Sequence, residues 1–600
     1  MQTPLTREWL LSGHSRLREF VGEIILAGLN CLRADNFCMR IASQTFPGGW
    51  DSIEKRCGTE YKYEKIPADF LEEIKTAATS KKGDRLPELH LPHANPFIPT
   101  NFVVEKKEAQ TPAISPKLIR NDDSVRLWFK KDDTFLLPKA NVFIVCRNPL
   151  PTATAENSLK VKMYTDLVYD ALEDYAYYAE LAGLEYSVSS HSMGLEINVS
   201  GYNNKLPVLL EMILIAMKNL VVKQDRFEII KERITRSAEY WNFHQPHYQV
   251  EYYMSWLSSE KGYINEQYLL ELPHVTADDI QQFYSHLLRQ MHMETFVHGN
   301  LYREDALKLA GLTESIFKPR VLPQTQWPIG RSLVFPPGAN CVYRKTWKDP
   351  VSVNHCIKYV LSIGDKAVYL QRAKTLLLNQ MIHEPAFDQL QTKEQLGYTL
   401  FNDISTEIGI VAYAITIQSE KTPQYLEERI DFFLIEYLET LKEMSDSEFE
   451  GHKKSSIAHR LGKLKNLDEE SNRLWSYIES EEFDFELVHH DATHIEALTK
   501  EDMIQFYNQF ILPSSPLRSK LSIHLIAQGT SFPEGNPDEQ TISMNNEDHK
   551  NAEDGVAIVV NAKSNGTIPY VITDVRQFKS MLQTTAGPQP VKHISEFEEL

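Results

Sequence analysis

The sequence repeats itself in order, and that repetition limits the fold more than composition does. From Ala179 it reads AELAGLEYSVSSHSMGLEINVSGYNNKLPVLLEMILIAM, and from Thr392 TKEQLGYTLFNDISTEIGIVAYAITIQSEKTPQYLEERIDFFLIEYL. Each stretch leaves a helix end through Gly and Tyr and enters two runs of alternating apolar residues, the period of strands. Each then turns into a long amphipathic helix. Downstream, Arg226-Phe227-Glu228 answers Glu448-Phe449-Glu450, and TADDIQQFY from Thr276 answers TKEDMIQFY from Thr499, displaced by roughly 220 residues. In both, a threonine followed three residues later by aspartate is a capping-box-like helix start. Each unit closes on a strand, METFVHGN ending at Asn300 and LSIHLIAQG ending at Gly529. The expected fold class is therefore α+β, repeated units that each pack helices on a mostly antiparallel sheet.

A third, truncated copy is expected at the N-terminus, with Val21–Leu32 as its last helix and Asn36–Ser43 as its last strand. Residues 1–43 as a helix and strand of their own remain the alternative. Lys81–Asn101, rich in Pro, His and Lys, reads as an extended connector. Pro323, Pro328, Pro336 and Pro337 mark a boundary between the two full units. Ser531–Gly555 is polar and acidic and reads as a loop, and VITDVRQFKSML as a short strand and helix packing back.

Composition narrows the function classes. Lys and Arg number 63 against 82 Asp and Glu, a net charge of −19, and no basic stripe offsets it, so nucleic acid is not an expected partner. Six cysteines in 600 residues, with no C-x-x-C pair, suit a reducing compartment. No apolar run reaches the roughly 20 residues of a membrane span. The N-terminus shows no basic region followed by an apolar core. A soluble chain in the cytoplasm is the expectation, with the sequons at Asn198 and Asn565 unused.

The histidines offer one imitation of a metal site. His490 and His494 lie i, i+4 around Asp491 in VHHDATH, resembling H-E-x-x-H, where two imidazoles on one helix face bind zinc and a glutamate activates water. Asp491 is one methylene short for that task, and the segment runs directly into the Thr499 cap, so a solvated connector is expected. Pro92 keeps His90 and His93 from sharing a helix face. His292 and His298 straddle a strand, His298 packing or hydrogen-bonding at its end. H-x-x-E-H, G-x-S-x-G and a phosphate loop are all missing from the sequence.

The most informative stretch is NQMIHEPAFDQLQTKEQLGYTLFND, Asn379 to Asp403. Tyr369, Ala373, Leu376, Leu377 and Met381 suggest one helix face. Pro385 should stop that helix and open a short second one. Gly397 should end it, with Tyr398 beginning a strand.

EPAFDQLQTKEQLGY resembles a signature of the insulinase/pitrilysin family of inverted zinc metallopeptidases. So do IPTNF from Ile98, LWFKKDDTFLLPKA from Leu127, YAELAGLEY from Tyr178, SGYNNKLPVLL from Ser200 and RFEIIKE from Arg226. The resemblance covers about residues 50–530 and implies insulinase-type αβ domains. Residues 1–80 would be the tail of a truncated second domain, 81–125 a linker and 126–330 the third domain. Residues 331–600 would be the fourth, with an acidic loop near 531–555 and a C-terminal strand and helix.

In such enzymes four domains form two bowl-shaped halves around short peptides, and the N-terminal half holds zinc through H-x-x-E-H and a downstream Glu. The resemblance thus implies zinc in the family but no ligand for it in this chain. It also implies peptide substrates and an N-terminal catalytic half as partner, in the same chain or in trans, with a second copy of the chain as another candidate partner. No membrane partner is implied. Tyr398 matches a tyrosine that reaches the scissile carbonyl and supports the oxyanion. Phe387 matches an apolar chamber residue. Gln391 stands where the family carries Arg, which removes a fixed cation from the substrate-binding set. Lys463 and Lys465 fall where the family carries an anion-binding cluster, and Asn466 replaces one of its lysines. The resulting expectation is a C-terminal half of a peptide-degrading zinc metalloendopeptidase, not hydrolytic alone. The alternative is a non-catalytic peptide-binding or scaffold subunit that pairs with a catalytic partner.

Overall fold

A run of alternating apolar residues becomes a strand only where a neighbour accepts its backbone groups, and this chain supplies neighbours in two separate sheets. The computed structural model describes residues 6–10, 13, 19–43, 45–81, 93–104, 112–405, 409–529 and 569–599. The acidic stretch 531–555, most of the connector after Lys81, and His90 lie outside the described residues. By contacts the chain divides into two units, Met1–Ala94 and Asn95–Leu600.

The first unit holds α1 (Gly22–Leu29), α2 (Ala68–Thr79) and a two-residue ladder of β1 (Ser52–Ile53) and β2 (Glu60–Tyr61). None of its described residues is buried, and Phe20, Leu32 and Tyr63 stand exposed. The helix expected over Val21–Leu32 is present. The strand expected over Asn36–Ser43 is not: no strand pairs with it among the described residues, and a lone extended segment gains nothing over hydration.

In the second unit, the first sheet is built from β3 (Lys117–Asn121), β4 (Val125–Lys131), β5 (Lys139–Arg147), β6 (Leu184–His191), β7 (Gly194–Tyr202) and β8 (Gln290–Gly299), with β9 (Arg320–Val321) beside the start of β8. Its order is β3-β4-β8-β5-β7-β6. After β10 (Leu333–Val334) come β11 (Asn340–Thr346), β12 (His355–Asp365), β13 (Thr399–Ser405), β14 (Ile410–Ser419), β15 (Ser519–Ile526) and β16 (Tyr570–Ile572). These run in the order β13-β14-β12-β15-β11-β16. β17 (Gln583–Thr584) returns to pair with β10. The second sheet is the first read from its other edge. β4 with β8 and β11 with β15 are parallel, while the next three strands of each sheet are antiparallel. The far edges differ, since β3 is antiparallel to β4 and β16 parallel to β11.

The helices repeat as well. The first copy carries α3 (Ala155–Leu181), α4 (Leu206–Lys218), α5 (Gln224–Trp241), α6 (Pro246–Ser258), α7 (Asn265–Glu271), α8 (Ala277–Leu287) and α9 (Arg303–Phe317). The second carries α10 (Tyr369–Phe387), α11 (Pro423–Glu443), α12 (Asp446–Arg460), α13 (Leu467–Glu479), α14 (Leu487–Ala497) and α15 (Lys500–Phe510), before a C-terminal α16 (Val575–Ser580). Thr276 caps α8 and Thr499 caps α15, each in a reciprocal box with the aspartate three residues on. Each of these helices also carries a buried tyrosine that ties it to an earlier segment: Tyr284 donates to Leu220 O and Tyr507 to Leu434 O.

One face of each sheet is covered by helices of its own copy. The other is covered by a helix of the opposite copy. α6 lays Val250, Tyr253, Met254 and Leu257 on the second sheet against Val360, Leu521 and Ile523. α13 lays Leu474, Trp475 and Ile478 on the first sheet, where Trp475 stacks on Phe143 at 5.3 Å. The exchange leaves each copy with one apolar sheet face that only the other copy can bury. Glu294 of the first copy, wholly buried, binds Arg147 at 3.1 Å and accepts from Trp128 Nε1 at 2.7 Å, and Arg147 reaches Glu481 of the second copy at 2.9 Å. Burial alone would raise the Glu294 carboxyl, yet Arg126 and Arg147 hold it below the usual range. Near the C-terminus Phe597 packs on Trp128, with ring centres 5.6 Å apart, closing the same seam. Among the described residues no helix is long and apolar enough to cross a membrane.

Candidate functional site

The segment that carries Tyr398 begins in α10, and Pro385 does not stop that helix as expected. α10 runs through it to Phe387 and continues as a π-helical turn over Asp388–Lys393. A proline removes one backbone donor and crowds the preceding turn. Buried Met381, Ile382, Ala386 and Leu390 hold the run together across it, and the wider π turn follows directly. Gln395 then takes a left-handed conformation (φ 51°), and Leu396 N donates back to Leu390 O at 3.0 Å.

Gly397 is required here by close approach. A Cβ on it would lie 2.0 Å from the carbonyl oxygen of Gln418 on β14. Ser419 on the same strand donates to Leu396 O. The chain then emerges at Tyr398, whose surface is 96% exposed, and enters β13 one residue later.

Four side-chain contacts fix this turn. Gln391 Nε2 donates to Tyr398 O at 3.1 Å. Arg429 of α11 grips Glu394 through two bonds of 2.7 and 2.8 Å, and Gln389 adds a third at 2.8 Å. The Arg429 contact holds the Glu394 carboxyl below its ordinary range. Four residues past Tyr398, on β13, His383 Nδ1 meets Asn402 O at 3.0 Å while Asn402 Nδ2 donates to His383 O at 3.0 Å. The backbone around Tyr398 is thus held from α10, α11 and β14, while its phenol faces solvent. A hydroxyl so placed can donate to a carbonyl oxygen of an arriving ligand, or to the oxyanion that oxygen becomes.

The structure brings Gln391 and Tyr398 together. Phe387 stands one turn before Gln391 and is 45% exposed. Lys463 and Lys465 are exposed in the turn between α12 and α13, the Lys465 amide donating to Glu469 at 2.7 Å. Asn466 is the N-cap of α13, its Oδ1 accepting from Glu469 N at 2.8 Å. His383, Asn402, Glu394 and Arg429 were not singled out from sequence. One signal was available: β13 turns Leu400, Asn402 and Ile404 the same way, and a buried asparagine between two apolar residues breaks that alternation.

The His490–His494 segment is a correction to the expected connector. It forms helix α14 and turns Asp491 wholly inward, onto Arg372 at 2.6 and 2.8 Å and onto Arg460. His490 Nδ1 lies 3.1 Å from Asp484, and His494 Nδ1 lies 2.8 Å from His490 O. A carboxylate held by two guanidinium groups is not poised to activate water. His298 is buried on β8, with Nδ1 2.8 Å from Ser471 Oγ on α13. His292 lies against Trp327 at 4.0 Å between ring centres. Burial pushes His298 down to about 3 and His292 to about 4, so both are neutral near pH 7. Among the described residues no three His, Cys, Asp or Glu side chains gather as metal ligands, and H-x-x-E-H is absent from the sequence. Among the described residues none is placed to hold the zinc that the resemblance implies.

The family model described as the middle or third domain of peptidase M16 matches residues 1–271. One described as the C-terminal lobe domain 4 of PQQ synthase PqqF-like proteins matches residues 377–475. Insulin-degrading enzyme of Homo sapiens is 33% identical over 527 residues, 87% of this chain and 50% of that enzyme. The A-factor-processing enzyme of Saccharomyces cerevisiae is 34% identical over 482 residues, 80% of this chain and 46% of that enzyme. The crystal structure of pitrilysin matches at a TM-score of 0.72 and 20% identity, over 90% of this chain and 53% of that one. The chain spans about half the length of the curated relatives it matches.

Proposed function

The chain belongs to the insulinase/pitrilysin (M16) peptidase family, and from that premise we propose that it forms the non-hydrolytic, peptide-enclosing C-terminal half of such a peptidase. A separate half bearing the inverted motif supplies the metal and the attacking water. This chain supplies walls and orientation. The carrying observation is the Tyr398 turn: a free phenol on a backbone tied down by Gln391, Gly397 and the Glu394–Arg429 pair. A donor fixed before the reaction aims at the charge that develops on the scissile oxygen without reorganising, and one such donor is worth roughly 10²–10³ in rate. Phe387, exposed one turn earlier, offers an apolar contact to the same peptide. Gln391 lacks the guanidinium of the family pattern, so it holds Tyr398 in place without polarising the substrate. Three exposed and three buried free thiols suit a cytoplasmic setting.

The test is complementation. The purified chain alone should cleave no fluorogenic peptide, and adding an N-terminal half of an insulinase-type enzyme should raise activity above that half alone. Absence of any increase, with both pieces folded by circular dichroism, would count against the reading.

A further inference from the structure

The second sheet is wider than the helix that covers it from the other copy. A helix is roughly 10 Å across and strands lie about 4.8 Å apart, so one helix covers about two strands. α6 sits over β12 and β15 and reaches Ala412 and Ala414 of β14, and β13 extends beyond it. Register sets Phe401, Thr416 and Lys358 in one cross-strand row, and Asp403, Ala414 and Val360 in the next, all on the α6 side. The first two turns of α6 add His247, Tyr248 and Glu251, and together these walls enclose a groove of about 600 Å³.

Its chemistry is aromatic and acidic. Phe401 is 49% and Tyr248 56% exposed, and His247 meets Phe401 edge-on with ring centres 5.7 Å apart. Lys358 is engaged by Glu251. Asp403, exposed on the next row, has no ion-pair partner among the described residues. The fold does not ask for this phenylalanine. On the matching face of the first sheet the outermost strand presents Ser187 and Ser189, in the cross-strand rows of Phe143 and Val145.

We propose that this groove is a subsite for a cationic side chain, Arg or Lys, of an extended peptide. An uncompensated carboxylate recognises the charge, and the faces of Phe401 and Tyr248 take the cation and its aliphatic stem. An anionic side chain would meet Asp403 and be repelled. The proposal rests on the peptide-enclosing reading. Phe401 lies three residues past Tyr398, about 10 Å along an extended chain, so the groove is within reach of a peptide that also meets Tyr398.

Binding to the full 600-residue chain alone tests it, by fluorescence anisotropy with short labelled peptides identical except for one central Arg, norleucine or Glu. The Arg peptide should bind roughly tenfold tighter than the norleucine peptide, the sum expected of a partly exposed ion pair and a cation–π contact. Asp403→Asn should cut that preference to about threefold, leaving the cation–π share, Asp403→Lys should transfer it to the Glu peptide, and Phe401→Ser should weaken Arg binding more than Glu binding. Both residues are exposed, so unchanged melting temperatures should accompany these losses. Equal affinity for the three peptides, or a preference undiminished by Asp403→Asn, overturns the subsite. Failure to bind any of them overturns the peptide-enclosing reading itself, and the subsite with it.

Discussion

Asp491→Ala should be among the most damaging single changes in this chain, whereas His490→Ala, one residue away in the same metal-like motif, should be nearly silent. Asp491 is inaccessible to solvent and accepts two bonds from Arg372, at 2.6 and 2.8 Å, and a third from Arg460. Arg372 is itself 7% exposed, so removing the carboxylate strands a guanidinium in the second copy's interior. Breaking a buried pair from one side costs about 3–5 kcal/mol. Arg460 is more exposed and can turn to water, which places most of the loss on Arg372. His490 keeps 38% of its side chain exposed and makes one side-chain hydrogen bond, to Asp484, with Glu486 4.0 Å away, so its removal should stay within about 1 kcal/mol. Urea unfolding followed by tryptophan fluorescence reads the difference as a shift in midpoint. The double variant Arg372→Met/Asp491→Leu removes both charges and should recover much of the loss. If Asp491→Ala costs less than about 1 kcal/mol, or His490→Ala costs as much as it does, the buried-pair account of this motif is wrong.

Four further outcomes follow from the same geometry. In a complemented peptidase, Tyr398→Phe should lower kcat by roughly 10²–10³ with little change in KM or melting temperature, because the ring is exposed and only the hydroxyl is lost. There, Gln391→Arg should raise turnover and Gln391→Ala lower it, since arginine keeps a donor near Tyr398 O and alanine does not; a kinetically silent Tyr398→Phe would make the tyrosine structural. Gly397→Ala should displace β13 from β14 and cost a few kcal/mol, because its methyl would overlap Gln418 O; an unchanged urea midpoint would refute that. His298 and His292 are held far below the ordinary value of 6.5, so the unfolded chain takes up protons that the folded chain refuses. Stability present above pH 6.5 should therefore drain away as pH falls toward 4. His298→Asn, whose amide can still meet Ser471, should lessen the loss between pH 7 and 5, and an equal loss in both proteins would exclude this origin.

By itself the sequence determined what is settled within a few residues. The Thr276 and Thr499 boxes fix helix starts through side chains three positions apart. The apolar alternation before Leu206 and before Pro423 fixes the strand pairs, and the order of these pieces fixes two copies of one α+β unit. Tertiary structure decided what depends on partners far along the chain. Pro385 reads as a helix stop from local rules, yet burial of its neighbours carries α10 through it. Asp491 reads as a solvated base, yet Arg372, more than a hundred residues earlier, draws it inward. The Asn36–Ser43 segment has strand composition but pairs with no strand among the described residues. Gln391 reads as a lost cation, and only the path of the turn shows it holding the Tyr398 carbonyl. The exchange of α6 and α13 between copies, and the open strip it leaves at Phe401 and Asp403, is written in no local pattern. A helix's apolar stripe tells that it must be buried but not by which sheet, because that choice is made by surfaces that meet only after the chain has folded.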